Sequence, residues 1–148
     1  MATRSSLATG IGRVLIAVYG ILALAATGRS VVQIIEKFSF APFAYTLSAV
    51  AAVVYIVATL ALALRRDRLA WVTIGFELVG VLVVGALTLL APAVLGLGDV
   101  ELLDRAFGRE GTVWALFGLG YLCVPLVLPV IGLLYLASTR RAAVASAG

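Results

Sequence analysis

The chain of 148 residues has no histidine, one cysteine and one lysine. Without histidine, the sequence argues against bis-histidine haem, imidazole-ligated metals and a Ser-His-Asp hydrolase triad. A single cysteine cannot form a disulfide framework within the chain. Charged residues make up 12% of the sequence, against about 25% in soluble domains. These absences remove the commonest metal-binding and catalytic classes from consideration.

Apolar residues are correspondingly abundant, at 64% of the sequence, and the mean hydropathy is +1.19. A soluble fold of this length could not bury so much apolar surface, so the sequence predicts an integral membrane protein. It contains no Walker loop, H-E-x-x-H motif or C-x-x-C motif. No polar region is long enough for a separate catalytic domain. We therefore lean against an enzyme, and we expect no cofactor, metal or nucleic-acid partner.

Four apolar runs are long enough, or nearly long enough, to cross a bilayer, which takes about 20 residues of helix. The first run can be extended through the amphipathic stretch at residues 31–38. In the polar segment at residues 96–111, apolar residues recur at helical spacing, which predicts a short amphipathic helix on the outer surface. The sequence thus predicts a single all-α domain over residues 1–148, a four-helix transmembrane bundle with spans at about 11–29, 41–64, 69–92 and 112–138.

Basic residues lie at the ends of the apolar runs, where they orient a membrane protein rather than bind nucleic acid. Both termini and the loop between spans two and three carry seven basic residues and one acidic residue, whereas the other two loops carry four basic and five acidic residues. The positive-inside rule therefore predicts that both termini are cytoplasmic. The bias towards arginine, alanine, valine, leucine and glycine is typical of a GC-rich bacterial genome, so we expect a bacterial plasma membrane.

Glu77 is the one acidic residue inside a predicted span, and it lies nine residues after Arg68. At about 1.5 Å per residue, the carboxyl is about 13 Å along the helix from that arginine. Ionisable groups at this depth are costly and usually face the bundle interior. The same helix face carries mostly small or hydroxylated residues, as helix–helix contacts do: Ala70, Thr73, Gly80, Val84, Thr88 and Ala91. Glu77 is therefore predicted to point inward.

Several groups on other spans are candidate partners of Glu77. Arg13, near the inner end of the first span, is long enough to form an ion pair with it. Tyr55 falls at about the same depth on the second span. Pro125 and Pro129 free backbone carbonyls on the fourth span. The sequence predicts one intramembrane polar cluster of Glu77, Arg13, Tyr55, Pro125 and Pro129.

Other chemically distinctive residues have simpler interpretations. Arg29, near the outer end of the first span, is predicted to pair with an acidic residue or to contact a lipid phosphate. Trp71 and Trp114 lie near span ends, as residues of interfacial aromatic belts do. Cys123 is interpreted as a small apolar filler.

Two roles for Glu77 stay open on the sequence alone: a buried group that fixes helix assembly, or a site for a proton, a cation or a lipid headgroup. The first role favours a non-enzymatic accessory or stabilising subunit of a larger membrane complex. Its partners would be membrane lipids and other membrane-protein subunits or a second copy. The alternative is a small oligomeric transporter or channel with Glu77 as its proton, cation or substrate site, and a second alternative is a lipid-binding membrane protein.

Overall fold

The computed structural model describes residues 2–39, 41–94 and 112–146. All the regular structure in these ranges is helical. The long helices are α1 (Ala2–Lys37), α2 (Pro42–Ala63), α3 (Asp67–Val94) and α4 (Val124–Ala145), and a short 3-10 helix covers Ala115–Tyr121. The predicted amphipathic helix at residues 96–111 lies outside the described residues.

Within the described ranges, four helices are long and apolar enough to cross a membrane, which confirms the all-helical class and four candidate spans. The candidate spans are Gly10–Lys37, Pro42–Ala63, Asp67–Leu90 and Val124–Ala145. The first extends well beyond residue 29, because α1 continues through the amphipathic stretch at residues 31–38 as far as Lys37.

Local sequence accounts for where the helices begin. Proline stands in the first turn of both α2 and α4, where its missing N–H costs no helical hydrogen bond. Asp67 in the first turn of α3 places a negative charge at the positive end of the helix dipole. Between α2 and α3 the chain turns through Arg65, whose φ is 53°.

The four long helices form a closed ring in which α1 packs on α2, α2 on α3, α3 on α4 and α4 on α1. A cleft at one end is lined by Arg13 of α1, Arg65, Asp67 of α3 and Thr139 of α4. The start of α1, the end of α2, the start of α3 and the end of α4 therefore meet at this end. The arrangement is an up-down-up-down bundle, with most of the described arginines at one end.

The fourth apolar run differs from the helix expected over residues 112–138. Residues 112–123, which we name the inserted segment, are irregular or 3-10 in structure, and α4 begins only at Val124. The backbone is left-handed at Leu116, Phe117 and Gly118, and again at Leu122 and Cys123. Hydropathy identifies an apolar run but carries no information about its backbone conformation. In this segment the conformation depends on packing against the rest of the bundle.

Candidate functional site

The centre of the bundle holds a fully buried carboxyl group. Glu77 on α3 has 0% of its surface exposed. Its Oε2 atom accepts a hydrogen bond of 2.7 Å from the hydroxyl of Tyr19, which is also fully buried on α1. Because α1 and α3 are not neighbours in the ring, this contact joins two helices across the interior. A buried polar group is tolerated when it is hydrogen-bonded, so the pair specifies how these helices face each other.

A second hydrogen bond crosses the interior next to the first. The Nε1 group of Trp114 donates to the hydroxyl of Tyr55 at 3.1 Å. The ring of Tyr55 lies 6.3 Å from that of Tyr19, at an interplanar angle of 51°, which is a favourable aromatic geometry. The four side chains come from α1, α2, α3 and the inserted segment. We name Tyr19, Tyr55, Glu77 and Trp114 the core tetrad.

Gly80 makes room for Trp114 of the core tetrad. A Cβ atom at Gly80 would lie 2.8 Å from the indole of Trp114. The ring of Phe76 packs edge-on against Trp114 with centroids 6.4 Å apart. The indole thus lies directly on the backbone of α3 near the middle of that helix. Only glycine at position 80 permits this approach.

The backbone of the inserted segment is held by specific contacts with α3 and α4. The Oγ1 atom of Thr88 accepts the backbone N–H of Leu116 at 2.8 Å. Gly118 has a φ of 77° and packs against the ring of Pro125. Thr112, Val113 and Trp114 are buried. Irregular backbone at membrane depth is tolerated where protein surrounds it or where it lines a cavity, and this segment has both environments.

The second carboxyl oxygen of Glu77 is not part of the hydrogen bonds described above. Oε1 is buried and has no hydrogen-bond partner among the described residues. Within these ranges, Glu77 also has no ion pair with an arginine or lysine. Chemically, the core tetrad can fix the arrangement of the helices, and Oε1 can accept one further hydrogen bond or coordinate a small cation.

The residues of the predicted polar cluster occupy different parts of the structure. Glu77 and Tyr55 both lie in the buried interior. Arg13 is exposed and lines the cleft at the arginine-rich end, about 460 Å³ in volume, together with Tyr135. Tyr19, rather than Arg13, is the group in contact with Glu77. That the cluster acts as one functional unit stays a prediction.

The two prolines of the predicted cluster are both fully buried. Pro125 lies in the first turn of α4, against Gly118 of the inserted segment. Pro129 lies inside α4, where it leaves the carbonyl of Pro125 without its helical donor. Both prolines belong to the packing between α4 and the rest of the bundle.

Arg29 lies near the end of the bundle opposite Arg13. Its Nη1 group donates a hydrogen bond of 3.3 Å to the hydroxyl of Tyr121, and its guanidinium carbon lies 5.9 Å from the centre of the same ring. A cleft of about 850 Å³ opens beside it, between α1 and the inserted segment.

Tyr19 and Trp114 are the residues that sequence reasoning missed. Tyr19 belongs to a buried stripe of α1 with spacings of three or four residues: Leu15, Tyr19, Leu22, Ala26, Ser30 and Gln33. That periodicity was readable in the sequence. The sequence predicts an interfacial position for Trp114, but this residue is only 2% exposed in the structure. Nothing local in the sequence distinguishes these two placements.

No family model, no curated protein and no solved structure matches this chain. The class of protein therefore rests on the fold itself. Four apolar helices of membrane-spanning length are compatible with a small, multi-pass integral membrane protein.

Proposed function

We propose that the protein is a small non-enzymatic subunit that stabilises a larger membrane complex. The carrying observation is that the core tetrad lies in the described interior and that its hydrogen bonds join separate parts of the chain. Apart from the Oε1 atom of Glu77, the polar groups of the tetrad are thereby used between the helices of the chain itself. The outer helix faces remain as large surfaces for interaction.

Those outer faces are extensive. Each candidate span buries between 22% and 39% of its most apolar window within the chain, and α4 buries the least. On α4, Val130 and Leu134 are exposed, at 43% and 66%. Such surfaces require lipid or other membrane helices around them, which supports a subunit role. Membrane lipids and other membrane-protein subunits are the partners in this proposal.

The proposal places the protein in a bacterial plasma membrane with both termini in the cytoplasm. Support for the orientation comes from the end of the bundle where Arg13, Arg65 and Asp67 meet in one cleft, next to Arg66 and Arg68. Clustering of arginine at one end is the pattern that the positive-inside rule assigns to the cytoplasmic side. Fusing a reporter to each terminus tests this assignment, and an external location of either terminus contradicts it.

Native mass spectrometry of the tagged protein, expressed at its natural level and extracted gently from its own membrane, tests the subunit role. We expect a stoichiometric partner, and we expect that complex to be less stable in membranes from cells that lack the protein. An unrelated tagged protein with four spans is the matched control. Isolation of the protein alone, with every complex intact in its absence, would refute the proposal.

A second candidate function is a small oligomeric transporter or channel in which Glu77 binds a proton, a cation or a substrate. The buried Oε1 atom of Glu77, which has no hydrogen-bond partner among the described residues, favours it, because buried polar atoms in native structures are almost always partnered. Flux into liposomes that is lost in Glu77→Gln, with thermal unfolding near that of the wild type, would support this candidate over the first. Absence of flux in the wild-type protein would eliminate it.

A further inference from the structure

The cleft at the arginine-rich end is lined by all four long helices and by the turn between α2 and α3. Its volume is about 460 Å³, within the usual range of small-molecule sites, which often form between the helices of a bundle. The wall includes Gly12 of α1, Ala61 of α2, Ala70 of α3 and Leu136 of α4. The cleft therefore lies at the mouth of the bundle rather than in a groove between two helices.

Three charged side chains line this cleft: Arg13, Arg65 and Asp67. Within the described ranges, none of these side chains forms a hydrogen bond or an ion pair. The cleft thus gathers two positive charges and one negative charge that are not paired with each other. This arrangement is complementary to a ligand that carries charges of both signs.

Two hydroxyl groups add to this pattern. Tyr135 lies directly against α1, since a Cβ atom at Gly12 would lie 2.5 Å from its hydroxyl, and a phenol can donate a hydrogen bond. Thr139 donates to the carbonyl of Leu136 at 2.9 Å, so its oxygen remains as an acceptor. The phenol therefore joins the two arginines as a donor, and the threonine joins the aspartate as an acceptor.

The donors favour a phosphate as the anionic part of the ligand. Arg13 belongs to α1 and Arg65 to the turn between α2 and α3, so the two guanidinium groups come from different sides. A tetrahedral phosphate can accept hydrogen bonds from both, whereas a planar carboxylate suits one guanidinium fork. The carboxylate of Asp67 then requires a cationic donor on the same ligand, and an ammonium group supplies one.

We propose that this cleft binds a phosphoethanolamine group, with its phosphate on Arg13 and Arg65 and its ammonium on Asp67. The group can be the free compound or the headgroup of phosphatidylethanolamine. The site does not involve Glu77, and the proposal is independent of the subunit role.

Isothermal titration calorimetry of the full-length protein in an uncharged detergent tests the site, with O-phosphoethanolamine and inorganic phosphate as probes. We expect the wild type to bind phosphoethanolamine about threefold more tightly than phosphate, the size of an exposed ion pair. Arg13→Gln and Arg65→Gln should each weaken binding of phosphoethanolamine about fivefold. Asp67→Asn should abolish the preference while phosphate binds at least as tightly as before, because a negative charge beside the anion is removed.

Arg141→Gln is the matched control. It removes the same charge at the same end of the bundle, but Arg141 lines a different cleft, beside Trp71. This variant should bind phosphoethanolamine as the wild type does. Because Arg13, Arg65 and Asp67 are all exposed, their variants should unfold thermally near the wild type, and the second arginine keeps the test decisive if one variant fails to fold.

Native mass spectrometry distinguishes the two sources of the group. If the lipid headgroup is the ligand, the protein retains phosphatidylethanolamine in preference to phosphatidylglycerol with identical acyl chains, and Asp67→Asn removes this preference. If the free compound is the ligand, calorimetry detects it and neither lipid is preferred. Both results support the site.

Three outcomes would overturn the proposal. The first is that the wild type prefers neither phosphoethanolamine over phosphate nor phosphatidylethanolamine over phosphatidylglycerol. The second is an equal loss of binding in Arg141→Gln and Arg13→Gln. The third is a wild-type preference that persists in Asp67→Asn.

Discussion

The two halves of the bundle achieve close packing in different ways. In the first half, α1 and α2 are continuous helices that pack on each other, and their buried faces carry small residues such as Ala23, Ala26, Ala51 and Ala58. In the second half, α3 and α4 are joined through the inserted segment, which places the largest buried side chain, Trp114, in the interior. Small residues permit helix backbones to approach closely, whereas an irregular segment fills a space that helices alone would leave.

This difference explains why the core tetrad is divided between the halves. The first half supplies the two tyrosines, and the second half supplies the carboxyl and the indole that pair with them. Each hydrogen bond therefore crosses from one half to the other. Substitutions in the inserted segment are therefore expected to lower the free energy of unfolding the most. The two side chains of each hydrogen bond between the halves are expected to be energetically coupled.

Trp114→Ala should produce the largest effect, because it empties the space that the inserted segment fills and leaves the Tyr55 hydroxyl without its donor. We expect a loss of about 3–5 kcal/mol in unfolding free energy, as for other buried aromatic residues. Trp71→Ala is the control, since Trp71 is 36% exposed on α3. Chemical unfolding of the purified protein in detergent measures both. Equal losses would contradict the interior role of Trp114.

Gly80 and Gly75 form a matched pair on α3. Gly80→Ala should destabilise by about 1–2 kcal/mol, because the new Cβ atom would meet Trp114 at 2.8 Å. Gly75→Ala should stabilise by up to about 1 kcal/mol, because nothing lies within 4 Å of its Cβ position and alanine favours the helix. Opposite signs in thermal unfolding support the contact, and a stabilising Gly80→Ala would refute it.

The hydrogen bond between Tyr19 and Glu77 predicts energetic coupling across the halves. In a double-mutant cycle of Tyr19→Phe and Glu77→Met, each of which removes one partner of the bond, we expect an interaction free energy of about 1 kcal/mol, within the range of such bonds in membrane proteins. Tyr135→Phe combined with Glu77→Met is the control and should show none, since Tyr135 lies near Gly12. Zero coupling in the first cycle would mean that the bond contributes nothing to stability.

The smallest effect concerns the anchoring of the inserted segment by Thr88. Thr88→Val removes the acceptor of the Leu116 N–H and should cost about 0.5 kcal/mol, because this backbone group is near the surface. Thr59→Val is the comparison, since Thr59 donates only to Tyr55 of its own helix. Hydrogen exchange at Leu116 provides a second measure. Exchange that is unchanged by Thr88→Val would show that the bond does not hold the segment.

Sequence reasoning recovered the parts of this structure that depend on hydropathy. The apolar runs around α1, α2 and α3 predicted helices, and the small face around Glu77 predicted that its side chain points inward, where it is fully buried. The fourth run was equally apolar, but its first part is the inserted segment. The left-handed run at residues 116–118 contacts Thr88, which lies 28 residues from Leu116 in the sequence, and such a contact is not visible in a local pattern.

The partner of Glu77 differs from the sequence prediction for another reason. Arg13 is the sequence-based candidate because its side chain is long enough to form an ion pair with Glu77. The structure instead pairs Glu77 with Tyr19, one of five tyrosines in the chain. The sequence does not distinguish a tyrosine at the membrane interface from one in the protein core, because both positions suit an apolar ring with a polar hydroxyl group.

Glu77 lies in the closed interior of the bundle, and we propose that it serves helix assembly. The most direct measurement is the rate at which a hydrophilic, membrane-impermeant thiol reagent modifies Glu77→Cys in a Cys123→Ala background, in native membranes. Ser39→Cys, exposed in the turn after α1, is the accessible control. We expect rapid modification at position 39 and none at position 77. Modification at position 77 at a comparable rate would mean that water reaches the carboxyl, and would contradict the account in favour of a transport pathway.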